Sequence, residues 1–319
     1  MKRIITLIIV LFTITTSQAC DICGCGAGGS FMGIIPQFGK SQFGMRGGYR
    51  LFHHPNTDLN VNGTSRVLQD ENYSSDFFYR KFKGKHWQFV FTVPFKSNTR
   101  IETERTTNIH GIGDIQFAAN YTLLNTSDSM DYRIKHILVG GVGVKLPTGK
   151  YMQRDETKAM LPALFQIGTG AYNYFAQAYY VARYKRWGLN AIAQYTIMGM
   201  NELDYDYGDQ FQTTISLFYK RDFTRKVHSP SDPAYIEKTK TISLLPTIGY
   251  TIENSKQDYQ YEIVKENTGG TQYLIHGGVD IYFTKISVSL YHQYAFFNDI
   301  PLAQPENKQR WGAAVAYSW

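Results

Sequence analysis

The last eleven residues decide the fold class of this chain: they read QRWGAAVAYSW and occupy positions 309–319. Mostly bulky apolar side chains stand at every second position, and small or polar ones stand between them. The first set is Trp311, Ala313, Val315, Tyr317 and Trp319, and the second is Arg310, Gly312, Ala314, Ala316 and Ser318. Successive side chains of a β-strand point to opposite faces, so this period of two predicts a strand whose faces meet different surroundings.

The same alternation recurs throughout the chain from Ser41 onward, for example in residues 87–96, 114–124 and 210–220. Each repeat spans about ten residues and is followed by a turn or a polar loop. We predict twelve strands: 41–54, 72–83, 86–97, 113–125, 133–147, 170–184, 187–198, 209–222, 240–253, 270–283, 285–297 and 309–319.

Two architectures produce this alternation of apolar and polar residues, a soluble β-sandwich and a transmembrane β-barrel. Tight links such as 83–85 and 185–186 alternate with long polar ones, and aromatic residues gather at the strand ends. Both features favour the barrel, because a sandwich buries a face rich in Leu, Val and Ile and has more even links. We therefore predict an all-β fold, an antiparallel up-and-down transmembrane barrel of about twelve strands.

One segment does not fit the alternation of short and long links. The segment 223–239, which contains Pro230 and Pro233, is long and basic, yet it falls on the side of the barrel where the other links are short turns. If the barrel is correct, this segment is a periplasmic excursion.

Composition excludes several other classes of protein. The chain has 319 residues, of which 43% are hydrophobic and 18% charged, so it is neither disordered nor a disulfide scaffold. No apolar run after the N-terminus reaches the length of a membrane-spanning helix. The 33 Lys and Arg residues are spread through the chain without a basic block, and we expect no nucleic-acid partner.

The N-terminus has the pattern of an export signal. Lys2 and Arg3 precede an apolar stretch at 4–14, and Ser17-Gln18-Ala19 matches a small-x-small cleavage site. We predict a signal peptide at 1–19, a cysteine-rich periplasmic segment at 20–40 and a barrel at 41–319 in the outer membrane of a Gram-negative cell. Lipoprotein processing at Cys20 is the alternative.

The cysteine-rich segment contains every cysteine of the protein, namely Cys20, Cys23 and Cys25. Three thiolates this close can converge on a soft metal ion such as copper or zinc, and the adjacent glycines allow the backbone to fold around it. Two other interpretations stay open: a local disulfide with one remaining thiol, and lipid attachment or tethering through Cys20.

The inner face of the barrel is predicted to be polar and weakly charged. Its expected lining includes Gln116, Asn120, Asn190, Gln194, Gln212, His276 and Asp280. The histidines at 53, 54 and 110 are interpreted as ordinary rim residues. His292 is expected to face lipid without a nucleophile beside it, so we predict no enzymatic activity.

Four glycine-containing motifs carry a family resemblance: GIGDI at 111–115, GVKLPTG at 143–149, GTGA at 168–171 and KRWGLN at 185–190. Their order resembles the outer-membrane transporter family named after the MetA pathway of phenol degradation, over roughly residues 110–250. The resemblance implies a barrel with a transport role, to which this chain adds the cysteine-rich N-terminus.

Together these features predict an outer-membrane barrel for the passage or handling of a small solute, with copper or zinc captured by the cysteines. The alternative is a non-transporting barrel that serves as a structural or assembly partner. The expected partners are outer-membrane lipid, a small solute or metal ion, and a periplasmic or outer-membrane protein.

Overall fold

The computed structural model describes residues 39–54, 68–103, 105–127, 133–228, 236–301 and 305–319, with the backbone alone for 225–228 and 236–240. The signal peptide, the cysteines and the rest of 1–38 lie outside the described residues. The strands are Gln42–His53 (β1), Leu68–Lys83 (β2), Trp87–Glu102 (β3), Thr106–Ile112 (β4), Ile115–Asn125 (β5), Ile134–Leu146 (β6), Asn173–Tyr184 (β7), Trp187–Ile197 (β8), Tyr205–Asp206 (β9), Gln210–Tyr219 (β10), Arg221–His228 (β11), Ile236–Ser255 (β12), Tyr259–Gln260 (β13), Ile263–Val264 (β14), Gly270–Tyr282 (β15), Ile286–Asp299 (β16) and Glu306–Ser318 (β17).

The described strands close into an antiparallel barrel of twelve. β4 and β5 act as one strand interrupted at Gly113 and Asp114, because both pair with β3. β10 and β11 likewise act as one strand interrupted at Lys220, because both pair with β12. The pairings of β10 with β12 and of β1 with β17 complete the ring. The predicted barrel of about twelve strands is therefore confirmed.

The outer surface of the barrel is apolar, which a sandwich would not tolerate. Outward side chains at mid-strand are largely exposed, including Val142 at 64%, Leu217 at 53% and Ile248 at 67%. A closed barrel satisfies every backbone amide between strands and can therefore stand in hydrocarbon. This construction places the protein in the outer membrane. Among the described residues, no helix is long and apolar enough to span a bilayer.

The two ends of the barrel differ in the length of their connections. Tight turns at 84–86, 185–186 and 283–285 lie at the end where the described chain begins, and long loops at 147–172, 198–209 and 256–269 lie at the other. The backbone N–H of Trp319 donates to the carbonyl of Ser41, so the C-terminus closes the short-turn end. In bacterial barrels the short turns face the periplasm.

An aromatic cluster marks the short-turn boundary. The ring of Trp319 lies 6.1 Å from that of Phe43 and 6.0 Å from that of Tyr79. Lys81 Nζ lies 5.9 Å from the centre of the Trp319 ring. Such amphipathic pairs occupy the level of the lipid headgroups, which accounts for the terminal tryptophan.

Within the basic segment 223–239, the structure has β-strand residues where the sequence pattern predicted only a loop. The strands expected at 209–222 and 240–253 extend to His228 and begin at Ile236, respectively. The neighbouring strands stop earlier, since Trp187 lies opposite Tyr219 and Tyr282 lies opposite Ser243. The last six residues of β11 and their partners in β12 thus form a hairpin that extends beyond the short-turn end by about 20 Å along the strand direction.

The outward face provides the first test. Replacing Ile248 with Lys puts a charge against acyl chains near mid-membrane, and we expect it to lower the free energy of unfolding from lipid vesicles by about 2–4 kcal/mol. Urea titration of the folded barrel in vesicles measures this. The control Ile263→Lys, in the exposed strand β14 of an outer loop, should change the midpoint little. Equal effects of the two substitutions would contradict the assignment of the lipid-facing surface.

Candidate functional site

All seven residues proposed to line the lumen lie on the inward face of the wall. The cross-strand register pairs Gln116 with Lys145, Asn120 with Gly141 and Gln194 with Gln212. It also pairs Asn190 with Val181, His276 with Gln293 and Asp280 with Ser289.

Several of these side chains bond to one another along the wall. Asn120 donates to Gln88 and accepts from Gln177, both at 2.7 Å. His276 Nε2 lies 3.1 Å from the hydroxyl of Ser216, and the hydroxyl of Ser289 donates to Asp280. The inner wall is thus a hydrogen-bonded lattice.

The lumen is more strongly charged than predicted. Leaving the rims aside, the described wall directs four acidic side chains inward (Asp70, Asp76, Glu253 and Asp280) and seven basic ones (Arg46, Arg50, Arg80, Lys96, Arg100, Lys145 and Arg310). The inner surface therefore carries three more formal positive charges than negative ones. The expectation of a weakly charged lining was wrong, because most of these basic residues lie on the inward faces of β1, β2 and β3, which contain none of the predicted lining residues.

Arg310 and Glu253 form an ion pair across the lumen. Both carboxylate oxygens accept from the guanidinium at 2.6 Å, and the side chains are 4% and 3% exposed. The two residues belong to β17 and β12, which β15 and β16 separate in the wall. The pair therefore bridges non-adjacent strands through the interior, and a bidentate Arg–carboxylate geometry fixes both side chains.

A second charged group lies at the long-loop end. Asp70 accepts two hydrogen bonds from Arg100, each at 2.7 Å, and contacts His54 Nε2 at 3.0 Å. Arg46 and Asp76 pair on adjacent strands at 2.6 Å. The rim histidine His54 thus belongs to a buried network of charged side chains. Among the described residues, no group of three or more His, Cys, Asp or Glu could hold a metal ion.

The inner wall becomes apolar toward the short-turn end. An apolar layer of six inward side chains, each at most 5% exposed, follows five strands around the wall: Ile137, Val139, Val181, Phe218, Leu245 and Tyr282. Arg80, on β2, lies within electrostatic range of Tyr179 and Tyr282, which belong to or pack against this layer. The ring of Phe218 covers Gly188, where a Cβ atom would lie 2.0 Å from it. These six residues of the described wall are therefore almost closed to solvent.

Three of the motifs that carry the family resemblance meet at one carboxylate on the long-loop rim. Asp114 accepts hydrogen bonds from the backbone N–H of Gly149 at 3.0 Å and from both the N–H and the hydroxyl of Thr169 at 2.9 Å. Gly149 and Gly168 pack backbone to backbone, because a Cβ atom on Gly168 would lie 2.4 Å from the Gly149 carbonyl oxygen. Asp114 therefore fixes both ends of the loop 147–172.

This loop lies against the inner wall. Asn98 donates to the carbonyl of Phe165 at 2.9 Å, and Lys96 donates to that of Ile167 at 3.1 Å. Phe165 and Ile167 pack with Leu161 and Ile109, all at most 7% exposed. The loop thus narrows the long-loop end of the lumen.

The outer loops 198–209 and 256–269 form a small sheet of β9, β13 and β14. Asp258 accepts from the hydroxyl of Tyr205 at 2.5 Å and from the N–H of Gly208 at 2.8 Å. Burial raises the pKa of Asp258 despite these two hydrogen bonds. Asn201 also donates to the carbonyl of Thr169 at 3.1 Å, so this sheet is joined to the loop held by Asp114.

His292 lies on the outward face of the barrel, which agrees with the prediction that it faces lipid. Its ring centre lies 4.1 Å from that of Trp311, its cross-strand partner. Cys20, Cys23 and Cys25 fall outside the described residues, so the metal site stays a prediction.

The role of Asp114 can be tested directly. Asp114→Ala removes three hydrogen bonds to a charged acceptor, each of which contributes about 1.5–3 kcal/mol. We expect the loop 147–172 to detach from the rim, so that trypsin cleaves at Lys150, Arg154 or Lys158 at least about tenfold faster in the folded barrel. Asp299→Ala, an exposed carboxylate at the same end, is the control. Unchanged cleavage of the Asp114 variant would refute the clamping role.

Comparisons with known proteins show the fold. No protein-family model matches the chain, and no curated protein matches it. Among solved structures, the chain is similar to the COG4313 outer membrane channel from Pseudomonas putida F1, with a TM-score of 0.59 and 13% identity over 88% of this chain and 96% of that one. It also matches the NanC porin, with a TM-score of 0.41 and 12% identity over 87% of this chain and 100% of that one. At 13% identity, the similarity to the first structure shows a shared outer-membrane barrel fold.

Proposed function

We propose that the barrel carries a small polar solute across the outer membrane. The observation that supports this best is the inner wall, where polar and charged side chains of many strands point inward behind an apolar exterior. A barrel with a purely structural role needs no charges inside, because desolvating them costs several kcal/mol per ion. One solved structure that shares this fold is of an outer membrane channel, which agrees with the proposal.

The apolar layer is the constriction in this proposal. A hydrated solute that enters from the long-loop end meets the ion pairs first and this layer last. Twelve strands also enclose less space than the 16–18 strands of open porins. Passage therefore requires the layer to move aside, and conductance at rest is expected to be small.

Conductance tests both the passage and the place of the constriction. Phe218→Ala removes a ring from the apolar layer, and we expect single-channel conductance in planar bilayers to rise at least about twofold over the unmodified barrel. Leu217→Ala, the adjacent outward residue, is the matched control and should leave conductance unchanged.

The same measurement separates transport from the structural alternative. If neither the unmodified barrel nor Phe218→Ala conducts ions or swells liposomes, passage of a solute is refuted. A barrel that is impermeable and purifies with a fixed partner would instead support the assembly role.

We also propose that the N-terminal thiols capture a soft metal ion, copper or zinc. The support is the sequence itself, in which three cysteines fall within six residues beside glycines. Thiolates select such ions, and they are the only cysteines of the chain. In this proposal the metal is held in the periplasmic segment rather than in the lumen.

Replacing Cys20, Cys23 and Cys25 together with Ser should abolish the binding of copper or zinc by the purified, reduced protein. Elemental analysis after equilibration with each metal and desalting measures it, and His110→Ala, an exposed histidine of the outer rim, is the control. Equal metal content in the triple variant would exclude the thiols as ligands. Intact mass of the mature N-terminus separately distinguishes a free thiol trio from a disulfide or an acylated cysteine.

A further inference from the structure

The ammonium group of Lys145 differs from the other charges of the lumen. Its side chain points inward from β6 and is 2% exposed. Within the described residues, Nζ has no hydrogen-bond acceptor and no carboxylate at salt-bridge distance. A buried cation without a counter-charge is strongly disfavoured, so this position favours an anionic ligand.

The two cross-strand neighbours of Lys145 are neutral amides. On one side the register places Asn173, whose amide donates to Thr169 at 2.9 Å and whose carbonyl accepts from the N–H of Gly199 at 3.0 Å. On the other side it places the amide of Gln116. An ammonium beside an amide can bind both oxygens of a carboxylate or phosphate.

The charge of the lumen as a whole supports the same ligand class. Three of its four acids already bind arginine: Asp70 with Arg100, Asp76 with Arg46, and Glu253 with Arg310. These contacts neutralise the acids locally, and the excess of inward-facing basic residues stays. An excess of positive charge within low-dielectric walls concentrates anions and repels cations.

We propose that the solutes of this barrel are small anions that bear a carboxylate or a phosphate, and that Lys145 and Gln116 bind this anionic group on the inner wall. This inference rests on the proposed function, because it names the solute class. It also agrees with a captured metal ion that stays on the cysteines, since a free cation is repelled from this lumen.

The first experiment measures the ion preference of the channel. In planar bilayers with a KCl gradient, we expect the reversal potential to show chloride preferred over potassium by about threefold or more. Lys145→Glu should lower this ratio at least about threefold, whereas Lys145→Arg should preserve it. Lys265→Glu makes the same charge change on an exposed outer loop and should leave the ratio unchanged. A cation-preferring channel, or a Lys145→Glu variant like the unmodified barrel, would overturn the inference while solute passage stands.

The second experiment does not depend on conductance. Inorganic phosphate titrated calorimetrically into the folded, detergent-solubilised barrel should bind, and Lys145→Gln should weaken binding at least about tenfold. Without phosphate, the urea midpoint of Lys145→Gln should be higher than that of the unmodified barrel, because an uncompensated buried charge has been removed. If the barrel does not conduct at all, the proposed transport falls, and the titration alone decides the anion site. Absence of phosphate binding, or equal binding by the variant, would refute that site.

Discussion

The backbone hydrogen bond in hydrocarbon is the constraint on which this structure depends. An unpaired amide in the bilayer costs several kcal/mol, so a sheet can cross only when its last strand finds its first. Here the pairing of β1 with β17 meets that condition. Two interrupted strands keep their pairing as well, because β3 pairs with both β4 and β5 and β12 pairs with both β10 and β11. The interruptions at Gly113, Asp114 and Lys220 therefore do not open the wall.

Once the wall is closed, the side chains divide into two sets with opposite requirements. The outward set needs only to be apolar, whereas the inward set must satisfy its polar groups within a narrow space. The pair of Arg310 with Glu253 and the network of Asp70, Arg100 and His54 meet this need by binding charge to charge. Ion pairs of this kind contribute little net stability when buried, but they hold their side chains in one geometry. Lys145, which has no such partner in the described chain, is where the lumen can respond to a solute.

Alternation along the chain was enough to predict the strands and their two faces, because it depends only on neighbouring residues. It placed Asn120 and Gln212 on the inner wall, and the register agrees. It could not predict the Arg310–Glu253 contact, since that needs the height and angular position of two strands separated by two others. The rim motifs were recognisable as glycine-rich sequence motifs. The residues next to them in sequence did not show that Gly149 and Thr169 would both donate hydrogen bonds to the carboxylate of Asp114. The extended hairpin was missed because Pro230 and Pro233 suggested a loop over its whole length, whereas strand pairing resumes at Ile236.

The projecting hairpin also fixes how deep the protein sits. Among the described strands, β11 and the first residues of β12 pair only with each other, so the outer edges of both must be hydrated. Hydrocarbon cannot cover such edges, and the bilayer surface is thereby held near Lys220 and Ser243, in line with the ring of Trp319. Bare edges also invite strands from other chains. The sequence of residues 221–240 contains five lysines and arginines and three acidic residues. Charged residues on edge strands are a common means by which proteins prevent pairing between copies.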